Sequence, residues 1–261
     1  MQNRRDFLKT LGIVSTGLVI EISLSGCSAR LPNATDTAFQ PNAWLQITPD
    51  NQIVFYLCSV EMGQGTMTGM TTLIAEELNT APHLITVKTA PVHKAFINPE
   101  YGVQVTGGST SVRNYYTSLR TAGAQAREML RAAAALQFET DPDTLDLRDG
   151  YVIHRDTRIP FGQFAQSASR LSLPDVELKA DKNFRFIGKY NARLDAQMKV
   201  RGTGLYGIDA KLSDLAIAAL KRCPVNGGTV KSWQLNGADQ MPRVKAVVEI
   251  PTGVAVLADS F

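Results

Sequence analysis

The chain has 261 residues, of which 44% are hydrophobic and 20% charged, with 20 glycines and 12 prolines. This globular composition suits one or two packed domains and excludes a disordered tail, a collagen-like repeat and a disulfide-dense mini-protein. The 27 Lys and Arg against 24 Asp and Glu give a net charge of +3, which argues against a nucleic-acid partner, and the 3 Cys and 3 His are too few and too scattered for a multi-cysteine iron–sulfur site.

The first 27 residues have the three parts of an export signal. Arg4 and Arg5 precede Phe-Leu-Lys, a moderately apolar stretch covers 11–24, and small residues lead to Cys27. The paired arginines resemble a twin-arginine signal, and Leu-Ser-Gly-Cys resembles a lipoprotein processing site with Cys27 as the lipidated residue. The alternative is a short amphipathic helix or a retained anchor, although Glu21 interrupts a stretch that would need about 20 apolar residues to span a bilayer. We expect an exported, periplasmic protein, held at the membrane by lipidated Cys27 or by an uncleaved signal.

A linker rich in proline and asparagine is predicted over 28–42, and a first domain follows over 43–172. Alternating apolar residues around the turn Pro49-Asp50-Asn51 predict a hairpin. Apolar residues at three- and four-residue steps predict two helices, the second with Ser109 or Ser111 as its cap. The predicted elements are strands 44–48, 52–60 and 84–88, helices 66–78 and 112–138, and a small hairpin of 145–147 with 151–153.

A second linker is predicted over 173–184, because this segment is polar and has no clear period. From 185 to 261 the short apolar runs 244–250 and 254–257 are separated by Gly, Pro and Asn, which predicts a second, β-rich domain. The run 215–220 is ambiguous between helix and strand. Because the apolar run at the end of the sequence is followed by no turn or polar tail, we expect its last strand to lack partners.

The segment 61–66, Glu-Met-Gly-Gln-Gly-Thr, is the first candidate binding loop and lies where a strand gives way to a helix. Gly63 and Gly65 allow a ligand to approach the backbone, and Gln64 offers an amide donor and acceptor. The helix that begins near Thr66 would present free backbone N–H groups and a positive dipole end, which suit a phosphate or an amide-bearing cofactor. The alternative is a glycine-rich turn that only reverses the chain.

The segment 106–113 is a second loop of the same kind, in which two glycines are followed by hydroxyl side chains. Such a donor-rich loop at a helix start suits phosphate oxygens, with a serine-capped helix after a flexible loop as the alternative. Two anion-suited helix starts in one domain favour a shared ligand, but they do not identify it.

The remaining polar residues suggest no catalytic group and no metal site. The arginines of the long helix form a stripe that is interpreted as a solvated face, or else as a contact with a partner subunit or an anionic cofactor. The histidines lack ligand spacing and are expected in loops or at the surface, the two internal cysteines are expected to be buried inert thiols, and the glutamates have no evident partner that would make one a base. These residues are Arg113, Arg120, Arg127, Arg131, His83, His93, His154, Cys58, Cys223, Glu61, Glu76 and Glu77.

Taken in order, the motifs resemble the molybdenum-cofactor-binding subunits of the xanthine dehydrogenase/aldehyde oxidase family, on the branch of the isoquinoline 1-oxidoreductase large (beta) subunit and the exported aldehyde dehydrogenases. In the first domain they are Glu-Met-Gly-Gln-Gly (61–65), Ala-Glu-Glu-Leu (75–78), Thr-Gly-Gly-Ser-Thr-Ser (106–111) and Ala-Gly-Ala-Gln-Ala-Arg-Glu-Met-Leu (122–130). In the second they are Phe-Ile-Gly (186–188), Arg-Leu-Asp (193–195), Lys-Val-Arg-Gly-Thr (199–203), Tyr-Gly-Ile-Asp (206–209) and Arg-Cys-Pro-Val (222–225). The resemblance implies an α+β protein with a molybdopterin-cofactor-binding-type domain followed by an incomplete a/b hammerhead domain over 185–261.

The resemblance also implies a cofactor, partners and site residues. The cofactor would be molybdopterin cytosine dinucleotide, whose dithiolene holds the molybdenum, and the partner a small subunit with two [2Fe–2S] clusters. The substrate would be an aldehyde or an N-heterocycle, hydroxylated with oxygen from water. By motif match alone, Gly63, Gln64 and Gly65 would contact the cofactor, and Gly108, Ser109 and Ser111 would surround its phosphates or pterin.

The family's later cofactor loops and its C-terminal catalytic glutamate have no counterpart in these 261 residues. The chain is therefore expected to be an N-terminal part of a large subunit that is inactive alone and needs the remainder of that subunit. The alternatives are a split subunit that binds cofactor only with a separately encoded remainder, and an unrelated exported anion-binding lipoprotein.

Overall fold

The computed structural model describes residues 18–20, 44–209, 211–213 and 215–260. They belong to two compact units, of which the first ends at Val200 and the second begins at Arg201. Cys27, the predicted linker 28–42 and most of the predicted export signal lie outside the described residues. Within the described part, no helix is both long enough and apolar enough to cross a membrane.

The first unit is built on a four-stranded sheet in the order β1-β2-β3-β4. The strands are β1 (Leu18–Ile20), β2 (Leu45–Ile47), β3 (Ile53–Leu57) and β4 (Ile85–Thr89), and the helix that connects β3 to β4 is α1 (Thr66–Leu78). The predicted hairpin is confirmed, since β2 pairs antiparallel with β3 in the register Leu45 opposite Phe55. β3 pairs parallel with β4. Every residue of β3 is buried, which is typical of a strand in a parallel pair covered on both faces.

The two long helices of the first unit run parallel. The second, α2 (Thr110–Phe138), contains the predicted helix and begins two residues earlier. A Cβ on Gly69 would lie 3.3 Å from Val112 Cγ2, and a Cβ on Gly123 would lie 2.6 Å from the Ile74 carbonyl oxygen. Residue numbers rise in both helices from the contact of Gly69 with Val112 to the contact of Ile74 with Gly123. The N-terminal ends of α1 and α2 therefore lie at the same end of the helix pair.

A small antiparallel sheet in the order β5-β6-β7 and a short helix complete this core. The predicted hairpin corresponds to β5 (Asp146–Arg148) and β6 (Tyr151–His154), while β7 (Thr157–Pro160) and α3 (Gly162–Ala168) were not predicted. The aromatic rings of Phe161 and Phe164 are fully buried in the core cluster.

Residues 177–195, which we call the strap, lie along α1. Lys179 Nζ donates to Asn79 Oδ1 at 2.6 Å at the C-terminal end of α1, and the Leu194 amide donates to Thr68 Oγ1 at 3.1 Å in its first turn. The strap therefore runs from the end of α1 back to its start and belongs to the first unit, although the sequence predicted a linker over 173–184. The helix α4 (Ala196–Val200) follows and ends the unit.

The second unit contains an antiparallel sheet in the order β8-β10-β9. Its strands are β8 (Ile217–Arg222), β9 (Val244–Ile250) and β10 (Gly253–Ala258), so the ambiguous run 215–220 contributes a strand. The expectation that the last strand lacks partners is wrong, because β10 is the central strand and pairs along its whole length with β8 and β9. Among the described residues of this unit, Ala255 is the one hydrophobic side chain that is buried.

Candidate functional site

The two predicted glycine loops meet at the N-terminal end of the parallel helices. The first precedes α1, the second precedes α2, and the Val60 amide donates to Thr106 Oγ1 at 2.8 Å between them. We call the segments 60–66 and 106–111 together the loop end. All six site residues predicted by motif belong to it: Gly63, Gln64, Gly65, Gly108, Ser109 and Ser111.

The first loop needs its glycines for their backbone conformation. Gly63 has φ +102° and Gly65 has φ +87°, values that strain any residue with a Cβ. A Cβ at either position would meet no atom within 4 Å. The loop is therefore shaped by left-handed turns rather than by crowding, and open space remains beside its backbone.

Gln64 holds its own loop. Its Oε1 accepts a hydrogen bond from the Met62 amide at 2.6 Å, and its Nε2 donates to the Val60 carbonyl oxygen at 2.8 Å. The sequence predicted a free amide that could face a ligand. In the structure both polar atoms of the side chain are used within the loop, so a ligand would have to share them.

The expectation of free backbone N–H groups at the start of α1 is wrong in part, because Glu61 binds the Met67 amide of the first turn and two amides of the preceding loop. Its carboxylate accepts hydrogen bonds from the amides of Gly63, Gly65 and Met67 at 2.8, 3.0 and 2.9 Å. Burial raises the pKa of Glu61, but these three donors outweigh it and hold the net pKa below the ordinary value. The carboxylate of Glu61 therefore lies at the positive end of the α1 dipole.

One buried polar atom of this loop has no partner. Thr66 is 4% exposed, and its Oγ1 makes no hydrogen bond. A buried hydroxyl without a partner costs free energy, of the order of 1–3 kcal/mol. The first residue of α1 thus offers a hydroxyl that a ligand at the loop end could satisfy.

The second loop leaves its helix end open. Ser109 is the N-cap residue of α2, one of the two positions predicted, but its side chain makes no capping hydrogen bond and the first turn of the helix has no acidic residue. Gly108 has φ +60°, and a Cβ there would overlap the Tyr101 hydroxyl. Thr110 Oγ1 donates to the Gly107 carbonyl oxygen at 2.8 Å and fixes the turn. Neither helix has an acidic residue in its first turn, but at α1 the carboxylate of Glu61 in the preceding loop accepts the Met67 amide, whereas the N-cap side chain of α2 binds no amide.

The arginine stripe on α2 is solvated only in part. Arg113 is exposed and pairs with Glu100 at 2.7 Å. Arg120 is 6% exposed and donates to Glu77 Oε1 through both Nε and Nη2 at 2.9 and 2.7 Å, and Arg127 Nη1 lies 3.6 Å from Glu77 Oε2. The solvated-face interpretation is therefore wrong for these two arginines, which face α1.

The expectation that the glutamates have no partners is also wrong. Glu76 is fully buried, and its Oε2 accepts the amides of Arg185, Phe186 and Ile187 at 3.0, 2.7 and 3.0 Å, while Lys179 Nζ lies 3.1 Å from Oε1. Burial raises the pKa of Glu76, but the hydrogen bonds from the strap amides and from Lys179 lower it by more than burial raises it. The net pKa therefore lies below the ordinary value. Glu61, Glu76 and Glu77 are thus all committed to hydrogen bonds within the chain.

The remaining residues singled out from the sequence are cysteines and histidines. Cys58 is buried, and burial raises the pKa of its thiol to about 11, which makes it inert. Cys223 is only half-buried, so its predicted burial is wrong. His83 is exposed, and His154 stacks on Phe138 with ring centroids 4.8 Å apart. Across the described residues, no three His, Cys, Asp or Glu side chains form a metal-binding group.

The chain belongs to a known family. A family model described as molybdopterin cofactor-binding domain matches residues 2–210, and the chain is a molybdopterin-binding member of the xanthine dehydrogenase family. This membership excludes the alternative of an anion-binding lipoprotein unrelated to molybdenum.

Three relatives are similar to the chain over most of its length. It is 28% identical to the beta subunit of isoquinoline 1-oxidoreductase from Brevundimonas diminuta over 98% of this chain and 38% of the relative. It is 30% identical to the membrane-bound aldehyde dehydrogenase [pyrroloquinoline-quinone] of Gluconacetobacter polyoxogenes over 74% of this chain and 25% of the relative. It is 26% identical to a nicotinate dehydrogenase subunit from Pseudomonas putida over 83% of this chain and 19% of the relative.

The chain thus spans less than two fifths of the length of these relatives. Among solved structures, the crystal structure of quinoline 2-oxidoreductase from Pseudomonas putida 86 matches 47% of this chain and 15% of that chain, with 16% identity and a TM-score of 0.36.

Proposed function

We propose that the loop end binds molybdopterin cytosine dinucleotide and that the chain serves as the N-terminal part of a molybdenum hydroxylase large subunit. The observation that carries this proposal is the meeting of both glycine loops at one end of two parallel helices, joined by the hydrogen bond from the Val60 amide to Thr106 Oγ1. Family membership supports the pterin, and the names of the relatives support an oxidoreductase.

The residues of the loop end fit such a cofactor. The start of α2, which has no acidic residue in its first turn, suits phosphate oxygens, which Ser109 and Ser111 can also bind through their hydroxyls. The Tyr101 hydroxyl lies beside Gly108 and adds a further donor next to this loop. On the first loop, the open space beside Gly63 and Gly65 and the unpartnered Thr66 hydroxyl suit the polar edge of a pterin, with Gln64 able to share its amide.

In this proposal the molybdenum centre, when bound, supplies two-electron oxidation of an aldehyde or an N-heterocycle, with oxygen taken from water. The chain's own part is to bind and orient the cofactor at the loop end. Electrons would leave through a small partner subunit with two [2Fe–2S] clusters. Glu61, Glu76 and Glu77 are all hydrogen-bonded within the chain, so none of them is proposed as the base.

We further propose that the chain has no turnover by itself and completes its site with the remainder of a large subunit, within which the second unit, from residue 201, would form an a/b hammerhead domain. The predicted start of that domain at 185 is too early, because 185–200 belong to the first unit. A split enzyme, with that remainder encoded separately, is the second form of this proposal. Both forms of the proposal are supported by the small share of each relative's length that the chain covers. Export by a twin-arginine signal, with lipidation at Cys27, also stays a proposal.

The test is to purify the 261-residue chain from a host that makes the cytosine dinucleotide cofactor and is supplied with molybdate. Molybdenum is measured by mass spectrometry, pterin by fluorescence after oxidation, and CMP by chromatography after acid release. Dye-linked oxidation of an aldehyde and of an N-heterocycle is assayed in parallel. We expect pterin, molybdenum and CMP to copurify with the chain, without dye reduction.

Three other results have distinct meanings. Dye reduction by the chain with stoichiometric molybdenum contradicts the proposed lack of turnover. Cofactor that is retained only when the downstream coding region is expressed with the chain supports the split enzyme. Absence of pterin under both conditions contradicts cofactor binding at the loop end.

A further inference from the structure

The strap reaches the first glycine loop through the side chain of Arg193. Its Nη1 donates to the Gly63 carbonyl oxygen at 2.7 Å, and its Nη2 donates to Glu61 Oε1 at 3.1 Å. Gly63 is the residue with φ +102°, and Glu61 is the carboxylate that binds three loop amides. One guanidinium therefore joins the two groups that determine the shape of the loop.

Arg193 is itself held in place. Asp195, which is 1% exposed, accepts hydrogen bonds from Arg193 Nε and Nη2, both at 2.9 Å, and Lys199 pairs with the same carboxylate. This fork-to-carboxylate geometry fixes the plane of the guanidinium. The Leu194 amide binds Thr68 Oγ1, which anchors the neighbouring backbone to the first turn of α1. The position of the guanidinium relative to the loop is thus set by two neighbouring contacts.

The charge of Arg193 matters as well as its geometry. Glu61 places a negative charge beside a loop that is proposed to accept an anionic cofactor. Arg193 contacts the carboxylates of both Glu61 and Asp195, and Lys199 pairs with Asp195, so the two cations together balance the two negative charges. Arg193 does so without taking the amides that Glu61 binds. Lysine could supply the charge, but its single ammonium lacks the rigid fork that reaches the Gly63 carbonyl and the Glu61 carboxylate together.

We propose that Arg193 is a positioning residue that locks the Gly63–Gly65 backbone into its ligand-ready conformation and, together with Lys199, balances the charges of Glu61 and Asp195. The role towards the cofactor rests on the proposed function of the loop end. The lock itself is a property of the chain without the cofactor, and it can be measured there.

The experiment compares Arg193→Ala, Arg193→Lys and the wild-type chain by amide hydrogen exchange, resolved at Gly63, Gly65 and Met67. We expect these amides to exchange about tenfold faster in Arg193→Ala and by an intermediate factor in Arg193→Lys, while the amides of β3 keep their protection. Arg113→Ala, which removes the arginine paired with Glu100 beside the other loop, is the matched control and should leave the three amides unchanged.

The cofactor arm measures pterin retained by the same variants. We expect Arg193→Ala to retain about tenfold less pterin than wild type, and Arg193→Lys an intermediate amount.

Unchanged exchange at the Gly63, Gly65 and Met67 amides in Arg193→Ala overturns the proposed lock. Faster exchange with unchanged pterin overturns the role towards the cofactor. Absence of pterin in the wild-type chain, alone and with the downstream region, contradicts the proposed function instead, and the exchange result still decides whether the lock exists. Should Arg193→Ala unfold, the exchange in Arg193→Lys decides.

Discussion

The two ends of the parallel helix pair are built in opposite ways. At the C-terminal end of α1, the buried carboxylates of Glu76 and Glu77 are surrounded by donors from the strap and from α2. At the loop end, glycines lie beside open space, Thr66 Oγ1 has no partner, and the first turn of α2 has no acidic residue. The two buried carboxylates of the first end are satisfied by the chain, whereas the second end retains polar groups that a ligand can use. We therefore expect substitutions at the C-terminal end of α1 to affect mainly stability, and substitutions at the loop end to affect mainly ligand binding.

The largest effect is expected at the closed end, from Glu77→Gln. This change leaves Arg120 buried without its counter-charge, and we expect a loss of about 3–5 kcal/mol in the free energy of unfolding, measured with urea. The control is Asp146→Asn, which removes the exposed partner of Arg148 and should cost no more than about 1 kcal/mol. Equal losses in the two variants would contradict the closed character of this end.

A smaller loss is expected from Gly123→Ala, where the helices touch. The new Cβ would lie 2.6 Å from the Ile74 carbonyl oxygen, so the helices must separate, at a cost of about 1–3 kcal/mol. Gly107→Ala at the loop end adds a Cβ that meets no atom within 4 Å, and we expect a change within about 0.5 kcal/mol. A melting temperature that falls as far in Gly107→Ala as in Gly123→Ala would remove the distinction between the ends.

Acid should weaken the closed end through Glu76. Its pKa is lower folded than the ordinary 4.5, so its contribution to stability is complete above that value and is lost as the pH falls through the folded pKa. The gap in unfolding free energy between wild type and Glu76→Gln should therefore narrow as the pH is lowered from about 7 to below 4.5. A gap that stays constant would show that the strap amides do not favour the ionised form.

The smallest effect on stability is expected at the loop end, from Ser109→Ala with Ser111→Ala. Ser109 makes no capping hydrogen bond, so we expect the free energy of unfolding to change by no more than about 0.5 kcal/mol. The same double variant should retain about tenfold less pterin than wild type. Thr117→Ala, an exposed change further along α2, is the control for both measurements.

Local pattern predicted the elements better than it predicted their partners. The bounds of α1 followed from apolar spacing, and the hairpin of β2 and β3 followed from alternation around a turn. Glu76 and Lys179, which lie 103 residues apart, meet only because the strap folds back along α1, and no local signal carries that pairing. β7 and α3 were missed because runs of four and seven residues are too short for a period to emerge.

At the loop end, the sequence predicted which residues come together but not how their groups are used. An acidic residue just before a glycine-rich helix start could have indicated that Glu61 caps α1, since carboxylates favour that position. The link from Arg193 to Gly63 spans 130 residues and is visible only in the folded chain.

The most direct test of cofactor binding at the loop end is the pterin content of three purified proteins. These are the wild-type chain, the double variant Ser109→Ala with Ser111→Ala, and the control Thr117→Ala. We expect pterin and CMP in wild type and Thr117→Ala, with about tenfold less in the double serine variant at unchanged stability. Equal pterin in all three proteins would contradict binding at the loop end, and so would the absence of pterin from the wild-type chain both alone and with its downstream region.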